Sequence, residues 1–294
     1  CHAWGSEALM EGNRVIGVTF QSKEGRKAIL AGKVIDCTGD GDIFASAGCA
    51  YEKEYSGDDR SYNVSVVFRL GNVDSEEFRN WKYDPNSHYR DKLAEYKKLF
   101  GYRISPFVTP MKDIMWVNNF VEGKDCCNVQ DLTDTEMLIR RSLNEGIEWI
   151  RENVPGFKNA FLHDTAPQLG TRGSRRLNGT YRLTMDDIAQ TIEHEDTIAI
   201  IPAHRRMKYK SPIELPYGVM LPADDVEDLL AAGRCFSSAH DANDHANLIP
   251  HCVALGEAAG AAAAVALQSN TTFRDVDIKK VQQTLKKQGV YLPR

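Results

Sequence analysis

VIDCTGDGDIFASAGC, residues 34–49, decides how this chain is read. An apolar strand through Val34 and Ile35 runs into Thr38-Gly39 and two Gly-Asp pairs, and the small residues from 43 to 50 suit a short helix. A buried strand ending in Thr-Gly carries its backbone to the carboxyl edge of a sheet, where the ligands of open α/β folds collect. Gly39 and Gly41 permit tight turns and close approach to the main chain. Asp40 and Asp42 can accept hydrogen bonds from ligand hydroxyls. A plain DG turn between strand and helix, with Asp as its cap, gives the same letters. Carboxylates are poor partners for a bare phosphate, so this is no phosphate cradle by itself.

Upstream, WGSEALM, a turn at Gly12-Asn13, VIGVTFQS, a KEGRK turn and AILAGKVIDCTG read as a β-meander that feeds the buried strand. Downstream the pattern changes. Residues 51–130 are richer in Tyr, Asn, Asp and Lys, with a strand in YNVSVVFRLG, a helix in HYRDKLAEYKKLFGY and further sheet in FVTPMKDIMWVNNF. DLTDTEMLIRRSLNEGIEWIRENVPGF predicts a helix capped by Thr133 or Asp134 and stopped by Pro155-Gly156. Its apolar face is Leu138, Ile139, Leu143, Ile147 and Ile150, with Glu136 in the first turn. LTMDDIAQT offers another capped start at Thr184. KYDPNSHY, TPMKDIMW and IPAHRRMKY line or support this middle region and suggest no chemistry.

The last third returns to an α/β pattern, and LLAAGRCFSSAHDANDHANLIPHCVALGEAAGAAAAVAL, residues 229–267, is its informative part. A short strand ends in Gly233-Arg234, a polar loop follows, and Pro250 opens an Ala/Gly-rich helix. Proline suits a first helical turn, where its missing N–H costs nothing. Gly256, Ala258, Ala259 and Gly260 let the helix approach another backbone or a flat ring, and a helix N-terminus favours developing negative charge. A helix buried against a sheet uses the same residues. The chain then ends in the amphipathic stretch DVDIKKVQQTLKKQGVYLP. These changes divide it into a split α/β domain (1–50 and 215–268), an inserted α+β domain (51–214) and a C-terminal helix and tail (269–294).

Five segments in order carry a more specific signal: VIDCTGDGD, PQLGTRGSRRLNGTYRLTMDDI, ELPYGVMLP, LLAAGRCFS and PHCVALGEAAGAAAA. Together they resemble the FAD-dependent oxidoreductase family of the glutathione-reductase-like fold, over most of the chain. The resemblance implies an α/β FAD/NAD(P)-binding domain with FAD as cofactor. It places Thr38, Gly39, Asp40, Gly41 and Asp42 on the cofactor at the first motif. Gly233, Arg234, Cys252, Gly256, Ala258, Ala259 and Gly260 follow at the second. Relatives open with a strand, GxGxxG and a helix that bind the FAD pyrophosphate. No GxGxxG occurs here and the chain begins at Cys1, so the domain is expected to be incomplete at its N-terminus, the segment coming from a partner chain or lying outside this fragment.

Departures within the matched segments bear on substrate binding. Relatives carry Glu where this chain has Gly173, and often Arg at the places of Gly218 and Asn247. The remaining cations Arg172, Arg175 and Arg176 can fork onto a carboxylate or phosphate, or pair with nearby Asp and Glu. The expected substrate contacts are Arg175, Arg176 and Asn247, and the expected catalytic groups are Arg172, His240 and His251. A histidine beside a flavin can exchange protons near neutrality. The spacing of His240, His245 and His251 matches no zinc pattern, so no metal is expected.

Composition narrows the partners. With 42% hydrophobic and 26% charged residues and a net charge of −5, the chain offers no broad phosphate-neutralising surface, which argues against nucleic acid. The tract AAGAAAAVAL is shorter than the roughly 20 residues of a membrane span, so no membrane association is expected. Seven cysteines without a CxxC pair read as reduced thiols and a cytoplasmic setting. Hydride transfer between a small organic substrate and flavin is the leading expectation, with a homo-oligomer left open. A non-catalytic scaffold that keeps the flavoprotein fold is the alternative.

Overall fold

The computed structural model describes residues 2–53, 64–190, 192–202 and 212–293. The chain divides into two compact units, residues 1–54 with 173–294, and residues 55–172.

The first arm of unit 1 is an antiparallel meander, β1 (Ala3–Glu11), β2 (Arg14–Ser22) and β3 (Gly25–Leu30), in that order across the sheet. Glu11 pairs with Arg14, and Gly12 between them takes a positive φ of 63°, which a residue with a Cβ adopts at a cost. β4 (Val34–Asp36) follows, then α1 (Asp42–Ser46), shorter than the helix expected over 43–50, and β5 (Tyr51–Glu52).

Unit 2 holds β6 (Val64–Ser65), β7 (Phe68–Gly71), α2 (Ser75–Tyr83), α3 (Tyr89–Phe100), β8 (Arg103–Val108), β9 (Met115–Phe120), α4 (Val129–Asn153), β10 (Phe161–Thr165) and β11 (Gly170–Thr171). Its antiparallel sheet runs β10-β7-β9-β8. Alternate residues Phe68, Leu70, Met115, Val117 and Ile104 enter a core with Tyr96 of α3 and Ile139, Leu143, Ile147 and Ile150 of α4. The expected single strand in YNVSVVFRLG is broken into β6 and β7, and its first two residues lie outside the described residues. Two details of α4 differ from expectation. Asn128, not Thr133 or Asp134, is the cap, its side chain accepting from the N–H groups of Gln130 and Asp131. Leu138 is exposed, and the buried stripe takes in Thr135 and Gly146 instead.

The chain returns to unit 1 with β12 (Arg176–Leu177), α5 (Met185–Gln190), β13 (Thr197–Ile201), β14 (Ile213–Pro216), β15 (Leu229–Ala231), α6 (His240–Ala246), α7 (Ile249–Ser269) and α8 (Ile278–Lys287). β12 pairs with β5, β13 with β14, and β15 lies parallel to β4. Described residues of the stretch 173–214, expected in the inserted domain, pack here: Leu183, Ile188, Ile198 and Ile213 share one core with Leu215, Leu255, Ala258, Ala262 and Leu285. Most of IPAHRRMKY lies outside the described residues. The expected loop after Arg234 contains α6. Among the described residues α7 alone is long and apolar enough to cross a membrane by length and composition. Its buried side packs into the core of unit 1, as a core helix of that composition does.

Candidate functional site

Parallel pairing of β4 with β15 brings the two informative segments together. Val34, Ile35 and Asp36 align with Leu229, Leu230 and Ala231, and the Ala232 N–H donates to the Asp36 carbonyl at 2.9 Å. Both strands therefore end side by side, one in the 37–42 corner and the other in Gly233-Arg234, at the carboxyl edge where such folds hold ligands.

The corner is organised by Asp36, a residue the motif reading passed over. Its side chain is 1% exposed. One carboxylate oxygen accepts from the Thr38 N–H at 2.8 Å and the Thr38 hydroxyl at 2.6 Å. The other accepts from the N–H groups of Ile43 at 3.0 Å and Phe44 at 2.9 Å. The Thr38 hydroxyl oxygen also accepts from the Asp42 N–H at 2.7 Å. Burial pushes the Asp36 carboxyl up, and these donors partly offset that rise. An acidic residue breaking an apolar strand just before Thr-Gly was the available sequence signal. Gly41 caps α1 at a φ of +67°, and a Cβ there would fall 2.0 Å from the Phe44 ring.

The remaining residues of the corner meet protein partners. Asp40 accepts from the Ser174 hydroxyl at 2.8 Å and from Arg234 at 3.3 Å. Arg234 lies against Gly39, where a Cβ would come within 2.0 Å of its guanidinium. Arg175 donates to the Asp40 carbonyl and to the Asp42 carboxylate, both at 3.0 Å, with its guanidinium 5.5 Å from the Tyr51 ring. Arg176, expected on a substrate, is 2% exposed; it donates to the Ser238 carbonyl at 3.1 Å and stands 3.6 Å from Glu52. Arg176 is thus buried against protein partners, the Ser238 carbonyl and Glu52. Arg172 is the last residue of unit 2 and is described with that unit.

The second segment is sorted by its helix faces. Ala258 and Ala259 are fully buried, and their small size serves the packing of α7 on the core, so they cannot line a ligand as expected. Gly256 and Gly260 point elsewhere: a Cβ at either would meet no described atom within 4 Å. Ile249 and Val253, 82% and 64% exposed, also lie outside the core. His251 in the first turn of α7 is 2% exposed, which leaves it no open route to a substrate, whereas His240 at the start of α6 is exposed. Asn247 donates to the Asn243 side chain at 3.0 Å, and its carbonyl accepts from the Cys252 thiol at 3.4 Å. Asn243 in turn donates to the Arg234 carbonyl at 3.0 Å and to Ser238 at 2.9 Å, tying α6 to the end of β15. Gly218 has no room for the arginine of relatives: a Cβ would lie 2.8 Å from Thr180 and Tyr181 side-chain atoms.

A family model described as FAD dependent oxidoreductase matches residues 1–285. The chain belongs to this family. FAD is the family's cofactor, and the residues present fit it: an open glycine edge on α7, a glycine corner at the end of β4, and Arg234 beside that corner. No curated protein matches the chain. Among solved structures this family member is similar to a geranylgeranyl bacteriochlorophyll reductase-like protein from Thermoplasma acidophilum, at 14% identity and a TM-score of 0.43. That match covers 97% of this chain and 54% of the other. It is also similar to a flavin-dependent brominase triple mutant, at 11% identity over 97% of this chain and 55% of the other, TM-score 0.40. The myxobacterial chondrochloren halogenase CndH, an FAD-dependent enzyme, matches at 12% identity over 97% and 50%, TM-score 0.40. The chain thus spans about half the length of these structures.

Proposed function

We propose that this member of the family transfers hydride between a small organic substrate and FAD. The observation that carries the reading is the parallel β4–β15 pair, which sets the Gly-Asp corner beside Gly233-Arg234. Bound FAD supplies the acceptor or donor of the hydride, two electrons with one proton. Thr38 and Gly39, at the partly exposed tip of the corner, would hold it, Gly41 would shape the turn behind them, and Asp42 and Arg234 would border it. Asp40 orients Arg234, and Cys252, Gly256 and Gly260 would line the helix side. His240 is the exposed group suited to holding the substrate proton that balances the hydride. No GxGxxG occurs in residues 1–294, so in this reading the pyrophosphate contacts come from another segment or a partner chain.

Absorption spectroscopy of the protein purified together with the segment or partner that supplies those contacts, and incubated with FAD, tests the reading. A yellow complex that survives desalting, with a flavin band bleached by dithionite, is the expected result. A colourless protein after desalting would remove FAD from this site and favour a scaffold that keeps only the fold.

A further inference from the structure

We propose that Asp36 is a positioning residue for FAD, holding the 37–42 corner in its receiving shape before the cofactor arrives. The inference rests on the reading above, that this corner contacts FAD. Two glycines in three residues, Gly39 and Gly41, leave the corner with large conformational freedom, and ordering it on binding would weaken affinity. Asp36 removes that freedom beforehand. Its carboxylate clamps both sides of the glycines, taking the N–H and hydroxyl of Thr38 before them and the N–H groups of Ile43 and Phe44 after them. The Thr38 hydroxyl extends the clamp to the Asp42 N–H. α1, with five residues, is too short to persist on its own hydrogen bonds, so its start is fixed by this clamp. The order passes outward: a fixed corner lets Asp40 meet Ser174 and Arg234, and lets Arg234 lie against Gly39.

A carboxylate in this place has a simpler duty, that of a helix cap that only stabilises the fold. The two duties separate in measurement. A cap raises the unfolding temperature without changing FAD affinity well below it; a positioning residue changes affinity there. The test is FAD titration, by flavin fluorescence, of the protein together with the segment or partner that supplies the pyrophosphate contacts, with thermal unfolding and amide exchange recorded without FAD. Asp36→Asn keeps the shape but turns an NH2 toward N–H or O–H donors. It is expected to weaken FAD binding roughly tenfold or more and to speed exchange at Ile43 and Phe44. Thr38→Val is expected to weaken binding by a few fold, and Thr38→Ser to restore it. A folded Asp36→Asn protein with wild-type affinity overturns the proposal, and so do Thr38→Val and Thr38→Ser proteins of equal affinity. Should Asp36→Asn not fold, the Thr38 pair decides. A wild-type protein completed in this way that takes up no FAD instead brings down the FAD reading itself, and this inference with it.

Discussion

At the residue scale, the glycines of this chain divide by what their missing Cβ would strike. At Gly39 the obstacle is the far end of Arg234, which can swing away. At Gly146 in α4 it is the hydroxyl of Tyr96, 2.4 Å from an added Cβ. Tyr96 is fully buried and bonded to the Tyr102 hydroxyl at 3.1 Å, which holds the Ser142 hydroxyl at 3.2 Å. Gly146→Ala should gain about 1 kcal/mol of helix propensity and lose about 1–3 kcal/mol to overpacking. Overpacking wins, and thermal unfolding should show a net loss of about 1 kcal/mol; an unchanged or raised midpoint would mean that Tyr96 gives way. Sequence legibility at this scale was uneven. Gly39, Gly41 and Arg234 could be picked out because their types are unusual in a strand-to-helix turn. Asp36 was hidden because its importance lies in four donors that the chain delivers only after folding.

At the element scale, charge pairs lock segments that sequence could name but not join. Glu122, just past β9, accepts from Lys97 of α3 at 2.8 Å and pairs with Arg103 of β8 at 2.5 Å. Burial by itself pushes the Glu122 carboxyl up, yet the two cations together bring it below the ordinary glutamate range. A carboxyl lowered in the folded state contributes stability above its unfolded value, and that contribution is lost as pH falls through the lowered one. Glu122→Gln should therefore lower the unfolding midpoint near pH 7, and the gap to wild type should close on acidification below about pH 4. A gap that stays constant with pH would show that the charge on Glu122 contributes nothing to it. The α4 cap illustrates why boundaries misled: Asn128, Thr133 and Asp134 are all competent caps, and only the packed turn that precedes Val129 selects Asn128.

At the scale of the whole molecule, the thiols report on how the chain is built. The six described cysteines are free. Burial pushes the Cys49 thiol up to about 12 and Cys235 well above its ordinary value, so few thiolates form at either near neutrality. Titration with a thiol reagent at about pH 8 should leave both silent in the native protein and find every described cysteine once denatured without reductant. A missing pair of thiols in the denatured sample would reveal a disulfide. The sequence by itself determined the family-level reading: an apolar strand into TGDGD, a Gly-Arg strand end and an Ala/Gly helix in fixed order, because local chemistry is written in residue types and spacing. Only the tertiary structure decided that 173–214 belong with unit 1, that Ala258, Ala259, Arg176 and His251 are buried, and that Asp36 holds the corner. The first two depend on which distant segments pack against each other, whereas the Asp36 contacts, to residues two to eight positions further on, depend on the turn that the chain takes only when the corner is folded.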